Sequence, residues 1–289
     1  MLVRDPGEDF GHGLVNDGGQ RHLLWRGKTR NVPEDYAQGT FPSDTGRGAC
    51  DWVTNPGRWE RGDVTAYVAT PDFVFVRGDG TRAYSEHKVT DVVRELLFVR
   101  PGLVVVFDRV VAKSASFDKT WLLHTVDEPR LAPDGSWFEV EEGQGRLFGA
   151  VVLPRNRRLA KIGGPGNEHL VAGVRYRAGP ASELHPSALH HGEIPGAWRI
   201  EETPGASHAE DHFLNVMLLG KAGGKERPAI EVEAEDAASV SLTVRAGEEI
   251  VRLRLAKDAR AASLRLEAAG AVRFDGPLPD RVLQGAGAE

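Results

Sequence analysis

Apolar residues in this chain come in short runs of strand length, cut at intervals by glycine, proline, aspartate and asparagine. Such runs, with side chains alternating between two faces, predict β-strands. Asp63 to Ala69 sets Val64, Ala66 and Val68 on one face, and Asp72 to Arg77 sets Phe73 and Phe75 against Val74 and Val76. Val92–Val99 and Leu103–Val111 are longer runs joined by Arg100-Pro101-Gly102. Proline presets φ at the first central position of a turn and glycine accepts positive φ at the second, so this joint predicts a hairpin. Further strands are expected at 117–126, 146–153, 171–178, 197–203 and 212–219. Phe213 to Leu219 is apolar at every position but Asn215, as in a strand covered on both faces.

Helical periodicity is poor: the best window, Ala206 to His212, is too short to matter, and 17 prolines and 34 glycines break the longer ones. Strands recurring at this spacing predict an all-β fold, a large antiparallel β-sandwich. One boundary is visible. Gly220 to Pro228 (GKAGGKERP) is rich in glycine and lysine, the composition of a flexible connection. After it come short strands at 229–234, 239–244, 250–255, 263–267 and 272–274, which read as a small C-terminal antiparallel sheet. The predicted division is residues 1–220 for the sandwich and 221–289 for the small sheet.

Composition narrows the function. The formal net charge is −6, which argues against a general nucleic-acid binder, since that needs a basic face for phosphates. No apolar run approaches the roughly 20 residues that span a bilayer, so no membrane partner is expected. Met1 to Phe10 lacks the apolar core of a signal peptide, and the sequence assigns no compartment. Cys50 is the single cysteine, so no intrachain disulfide forms.

Candidate chemistry concentrates in residues 1–60, where long polar stretches carry Trp25, Trp52 and Trp59 and few clear strands. Long ordered loops on a β scaffold are where binding residues gather. Their tryptophans either pin loops to the core, the commoner use, or stack on sugar rings. Arg21, Arg26, Lys28 and Arg30 form one acid-free basic cluster, and Arg155, Arg157, Arg158 and Lys161 a second. Guanidinium forks suit carboxylate and sulfate groups, although positive charges also guard exposed strand edges. His208 and His212 have the spacing of a metal-binding pair on a helix, but His212 opens an apparent strand, and a surface loop is the expectation. His124 lies within a strand, and there a structural, hydrogen-bonded histidine is commoner than a catalytic one. No nucleophile triad, phosphate loop or dinucleotide fingerprint is present. No metal or cofactor is expected.

Four segments in order resemble the heparinase II/III-like polysaccharide lyases, in particular the heparinase II branch. They are DPGEDFGHGLVNDGGQR (Asp5 to Arg21), VRELLFVRPGLVVVFDRVVA (Val93 to Ala112), KTWLLHT (Lys119 to Thr125) and GRLFGAVVLP (Gly145 to Pro154). GAWRIEETP (Gly196 to Pro204) and DHFLNVML (Asp211 to Leu218) continue the likeness, which runs over about residues 1–220. The resemblance implies a central sandwich of the supersandwich type, preceded in the family by an α/α toroid. It further implies that the toroid, its catalytic tyrosine and histidine, and the histidine-rich stretch that holds a structural zinc have no counterpart here. His12 and His124 are not carried over to those roles.

The family chemistry is β-elimination beside a uronate carboxylate, which needs a base of tuned pKa and neutralisation of the carboxylate. On this resemblance the chain supplies a substrate-cleft wall for an acidic polysaccharide rather than the base. Asn16, Gln20, Arg21 and Trp25 are then the candidate substrate-binding residues. The competing reading is a stand-alone, non-catalytic carbohydrate-binding or structural module. A less favoured third is an independent lyase or hydrolase using its own histidines and tyrosines. A sandwich shaped against a toroid exposes an apolar patch when separated from it, so either a toroid partner or a homo-oligomer is expected.

Overall fold

The computed structural model describes residues 1–8, 16, 18–19, 61–168, 170–175 and 197–282. Gln20, Arg21, Trp25, the basic cluster around them, Trp52, Trp59 and His190-His191 lie outside the described residues.

The strands are β1 (Leu2–Arg4), β2 (Asp63–Ala69), β3 (Phe73–Asp79), β4 (Val89–Val99), β5 (Leu103–Ala112), β6 (Asp118–Thr125) and β7 (Arg130–Leu131). They continue with β8 (Trp137–Glu142), β9 (Gly145–Leu153), β10 (Arg157–Gly163), β11 (Leu170–Val171), β12 (Val174–Arg175), β13 (Trp198–Pro204) and β14 (Glu210–Lys221). Last come β15 (Ala229–Glu235), β16 (Ser239–Ala246), β17 (Glu249–Ala256), β18 (Ala262–Ala268) and β19 (Ala271–Pro277).

These strands form three main antiparallel sheets. A large sheet runs in the order β2-β3-β4-β5-β14-β9-β8-β7, a four-stranded sheet β1-β6-β13-β10, and the C-terminal strands a simple meander from β15 to β19. The large sheet lies between the other two. Alternation along β5 shows how: Leu103, Val105 and Phe107 join the core shared with the C-terminal meander, whereas Val106 and Val110 join the core shared with the four-stranded sheet. On β14, Leu214 and Val216 take the first side, and Phe213 and Met217 the second. The all-β sandwich is therefore a double one, and Phe213–Met217 is a stretch buried on both faces, Asn215 included, while Leu219 is half exposed.

The meander's Val240, Leu242, Val244, Val251, Leu253 and Leu255 all face the large sheet. The connection before it is not loose. Ala222 N donates to Gln144 O at 2.9 Å, Gly223 N to Glu141 Oε1 at 2.7 Å, and Arg146 Nη1 to Glu226 O at 2.8 Å. Its glycines serve a tight turn, with Gly223 at φ +76°.

The β4–β5 hairpin forms at Arg100–Gly102, but with a different turn from that expected. The Arg100–Pro101 peptide is cis, and Gly102 does not have positive φ. Gly102 instead lies close to the neighbouring strand, where an added Cβ would be 3.2 Å from Leu219 O. The segments 137–142 and 157–163, whose apolar positions are interrupted by charged residues, also form strands, paired along their whole length with β9 and β13 respectively. The expected strand at 171–178 is, in its described part, the short β11–β12 hairpin, which turns through Ala172 (φ 48°) and Gly173 (φ 79°).

Two substitutions test the double sandwich. Phe107→Ala, at a fully buried position, should cost about 3–5 kcal/mol in chemical denaturation. Gly149→Ala should also destabilise, by roughly 1–3 kcal/mol, because its Cβ would stand 2.1 Å from Phe138 Cζ.

Candidate functional site

The outward face of the four-stranded sheet carries a groove of about 260 Å³. Strand alternation decides what it displays. On β6, Lys119 and Trp121 point into the core, leaving Asp118, Thr120, Leu122 and His124 on the outer face. On β13, Ile200 and Glu202 point inward, leaving Arg199, Glu201 and Thr203 outward. Register places Leu2 beside Thr120, Arg4 beside Asp118, and Arg158 beside Thr203. The β11–β12 hairpin supplies Val171 and Ala172 at one margin, and the β13–β14 connection supplies Ala206 and Ser207 at another.

Charge in the groove is partly neutralised. Arg199 Nε donates to Glu201 Oε1 at 2.6 Å, and a second Arg199 nitrogen donates to Leu170 O. Arg158 is exposed and has no charge partner among the described residues. Arg4 donates its Nε to Asn16 O at 3.3 Å. The other members of the second basic cluster are held elsewhere: Arg155 pairs with Glu235, Lys161 with Glu128, and Arg157 donates to Gly135 O. The cluster thus belongs to an edge strand, β10, and presents only Arg158 to the groove.

The segment containing Asn16 lies alongside β1. Val3 N donates to Gly18 O at 2.8 Å. Asn16 Nδ2 donates to Asp5 O at 2.7 Å and Glu8 O at 3.0 Å. The Asn16 amide nitrogen therefore holds this segment together, and its Oδ1 is buried without a hydrogen-bond donor among the described residues. Gly18 sits at φ +80°, where a Cβ would come within 3.0 Å of Arg4 N; the Asn-Asp-Gly-Gly text is thus a backbone requirement at Gly18. Beneath it, Lys88 Nζ meets Glu8 Oε2 at 2.7 Å and Gly19 O at 3.1 Å, with both side chains buried.

His124 stands exposed on the outer face, register-paired with Arg199. It makes no hydrogen bond among the described residues, which replaces the expected structural, hydrogen-bonded histidine. Desolvation, then Arg199, lower its pKa. His208 and His212 are attached to different sheets. His208 Nδ1 lies 3.3 Å from Asp211 Oδ1, and Asp211 pairs with Lys119 of β6 at 3.0 Å. His212 Nε2 meets Lys257 O at 2.8 Å, and its ring stacks on Phe107. Tyr84 donates its hydroxyl to Met1 O at 2.6 Å. No tyrosine–histidine pair stands in the groove among the described residues, and no three potential metal ligands gather among them.

Below the groove lies a polar layer that periodicity alone did not reveal. Arg94 grips Asp108 with two hydrogen bonds of 2.6 and 2.7 Å. Glu202, fully buried, accepts from Asn215 Nδ2 at 2.9 Å, while Glu202 Oε1 and Asn215 Oδ1 both lack a donor among the described residues. Desolvation pushes the Glu202 carboxyl up to about 8, against the smaller opposing effect of the Asn215 hydrogen bond. A proton on Glu202 would provide a donor where neither orphan acceptor has one. The signal for this pair in the sequence is a polar residue at an inward position of each strand, Glu202 in WRIEETP and Asn215 in HFLNVML.

The groove and layers define a class: an all-β, stacked-sheet scaffold with a polar groove on its four-stranded sheet. No family model and no curated protein matches the sequence. Among solved structures, the heparan sulfate lyase HepC from Pedobacter heparinus is similar, with 11% identity and a TM-score of 0.44 over 74% of this chain and 28% of that one. A structure of heparinase III matches with 11% identity and a TM-score of 0.43 over 67% and 27%. The heparinase III-BT4657 gene product, with methylated lysines, matches with 8% identity and a TM-score of 0.42 over 72% and 27%. This chain spans between a quarter and a third of the length of these structures.

Two predictions follow from the geometry. The raised Glu202 pKa means the folded state holds a proton that the unfolded state releases near 4.5. The Glu202 contribution to stability is then full below that pH and is lost as pH rises through about 8. Wild type should lose stability relative to Glu202→Gln over this interval in pH-dependent denaturation; parallel curves would contradict the assignment. Separately, Lys88→Ala breaks the buried Lys88–Glu8 ion pair, and should cost about 3–5 kcal/mol, read as a lowered denaturation midpoint.

Proposed function

We propose that this chain is the β-sandwich portion of a polysaccharide lyase that acts on acidic, uronate-containing glycans by β-elimination. In this reading it supplies a wall of the substrate cleft, and an α/α toroid, in another segment or subunit, supplies the base. The observation that carries the reading is the ordered series of lyase-like segments, from Asp5 to Leu218. It is supported by where one of them falls: Lys119 and Thr120 of KTWLLHT line the outer groove on β6, beside β1 (Leu2–Arg4), the strand that leads into the first segment. The heparinase II branch rests on that motif order alone.

The groove is suited to holding a ligand carboxylate rather than to removing a proton. Arg158 and Arg4 offer guanidinium groups, and the nearest acid–base arrangement is the His208–Asp211 contact, in which Lys119 shares the carboxylate. Gln20, Arg21 and Trp25 are proposed to extend this wall, with Asn16 fixing the segment from which they continue. The division into residues 1–220 and 221–289 is proposed as a division of sequence segments.

The test is binding and turnover by the purified chain. Affinity electrophoresis in gels containing heparan sulfate, chondroitin, alginate or ulvan should show retardation by at least one of them, weakened by salt. Arg158→Ala should weaken it by about threefold to tenfold, the range of an exposed charge contact. The chain alone should produce no rise in ultraviolet absorbance from unsaturated uronate. Such a rise, lost in His208→Ala, would establish an independent lyase and overturn the cleft-wall reading. Unchanged substrate affinity on replacing the residues aligned with Arg21 and Trp25 in a complete relative would remove them from the wall.

A further inference from the structure

The connection Gly220–Pro228, rich in glycine and lysine, lies far in the fold from the outer groove, and its chemistry is not explained by linking two sheets. It crosses the far edge of the large sheet, where β7, β8 and β9 pair. There three guanidinium groups converge on one buried carboxylate. Arg130 Nη2 lies 2.5 Å from Glu139 Oε1, Arg146 Nε lies 2.9 Å from the same oxygen, and Arg227 Nη2 lies 3.5 Å from Glu139 Oε2. The hydrogen bond from Arg146 is the largest influence holding the Glu139 carboxyl below the usual range.

Arg227 is also fixed from below. Its guanidinium lies 4.4 Å from the centre of the Trp137 ring and 4.9 Å from that of Phe148. Arg146 is buried and donates Nη1 to Glu226 O. The second carboxylate of the pocket, Glu141, is engaged by Gly223 N at 2.7 Å. Lys225, at the exposed end of the turn, has no partner among the described residues. The pocket, of about 440 Å³, thus holds Arg130, Arg146, Lys225 and Arg227 against Glu139 and Glu141. Even with the nearby Glu226, which folds back over Gly224, positive charge is in excess.

A carboxylate has about four lone-pair sites and each guanidinium five N–H donors, so Glu139 satisfies only a fraction of the donors aimed at this point. Three cations at one carboxylate also repel one another, and a second anion relieves that repulsion. Pre-oriented, planar donors are what distinguishes an oxyanion site from a flexible lysine patch.

We propose that this pocket is a binding site for a tetrahedral oxyanion, a sulfate or phosphate group, held by Arg130, Arg227 and Lys225 over the Arg146–Glu139 base. The group comes either as a free inorganic anion or as the sulfate ester of a glycan. The inference is independent of the lyase reading and stands if that reading fails.

The experiment is calorimetric titration of the full chain with sodium sulfate and with sodium phosphate, each against a chloride background of matched ionic strength. A saturable heat is expected for the oxyanions. The double variant Arg130→Gln, Lys225→Gln alters exposed side chains, so its melting temperature without sulfate should match wild type, and it should bind at least about tenfold more weakly. Lys225→Gln alone, at a position with no described contacts, gives a smaller loss and serves if the double variant misfolds. A sulfated disaccharide that binds more tightly than inorganic sulfate marks the ester as the ligand; equal or weaker binding marks the free anion. No saturable heat in wild type, or undiminished binding in Lys225→Gln and the double variant, would overturn the site.

Discussion

Burial of the large sheet on both faces is the constraint on which the rest of the molecule depends. Its central strands, β5 and β14, send alternate side chains into two separate cores, so each contributes apolar surface twice. Apolar burial stabilises in proportion to the area removed from water. The two outer sheets each need only one apolar face, and this leaves their outer faces available for polar chemistry.

The two cores differ in character, and the difference positions the outer groove. Between the large sheet and the meander, packing is dominated by valine, leucine and phenylalanine, with the buried ion pair Arg77–Glu95 beside them. Between the large sheet and the four-stranded sheet, buried charges and amides intrude more often: Lys88 with Glu8, Lys119 with Asp211, and Glu202 with Asn215, while Asp108 is buried beneath an exposed Arg94. A buried ion pair is costly to break, though it need not stabilise more than an apolar replacement would. What such pairs offer is specification of position. Lys88 and Glu8 tie the segment carrying Asn16 and Gly18 to the start of β4, and Lys119 with Asp211 ties β6 to β14. The floor and rim of the groove are thereby fixed to the central sheet.

Charge at the molecule's surface is distributed in the same manner. Most arginines and lysines discussed above have carboxylate or carbonyl partners that hold edges and connections in place. Among the groups discussed above, positive charge outruns its partners at Arg158 on the outer groove and at the Arg130–Arg227 pocket beside the Gly-rich connection. The two places lie on different sheets, so a long anionic chain and a small oxyanion need not compete.

The strands built from apolar runs were legible in the sequence because a period of two is a local property. So were the sandwich class, the double coverage of β14 and the separate C-terminal meander. Strands β8 and β10 were not legible, because charged residues interrupt their apolar positions and their pairing is set by sheet order. The cis turn at Pro101 and the pinned connection at 220–228 also escaped, since glycine and proline text announces a turn without stating its geometry or its contacts. Gln20, Arg21 and Trp25 lie outside the described residues, while Asn16 has a defined structural task in holding its segment to Asp5 and Glu8. Only the tertiary structure could bring Glu202 to Asn215, or Arg130 and Arg227 to one carboxylate, because those meetings join residues from different strands and depend on sheet order rather than on spacing along the chain.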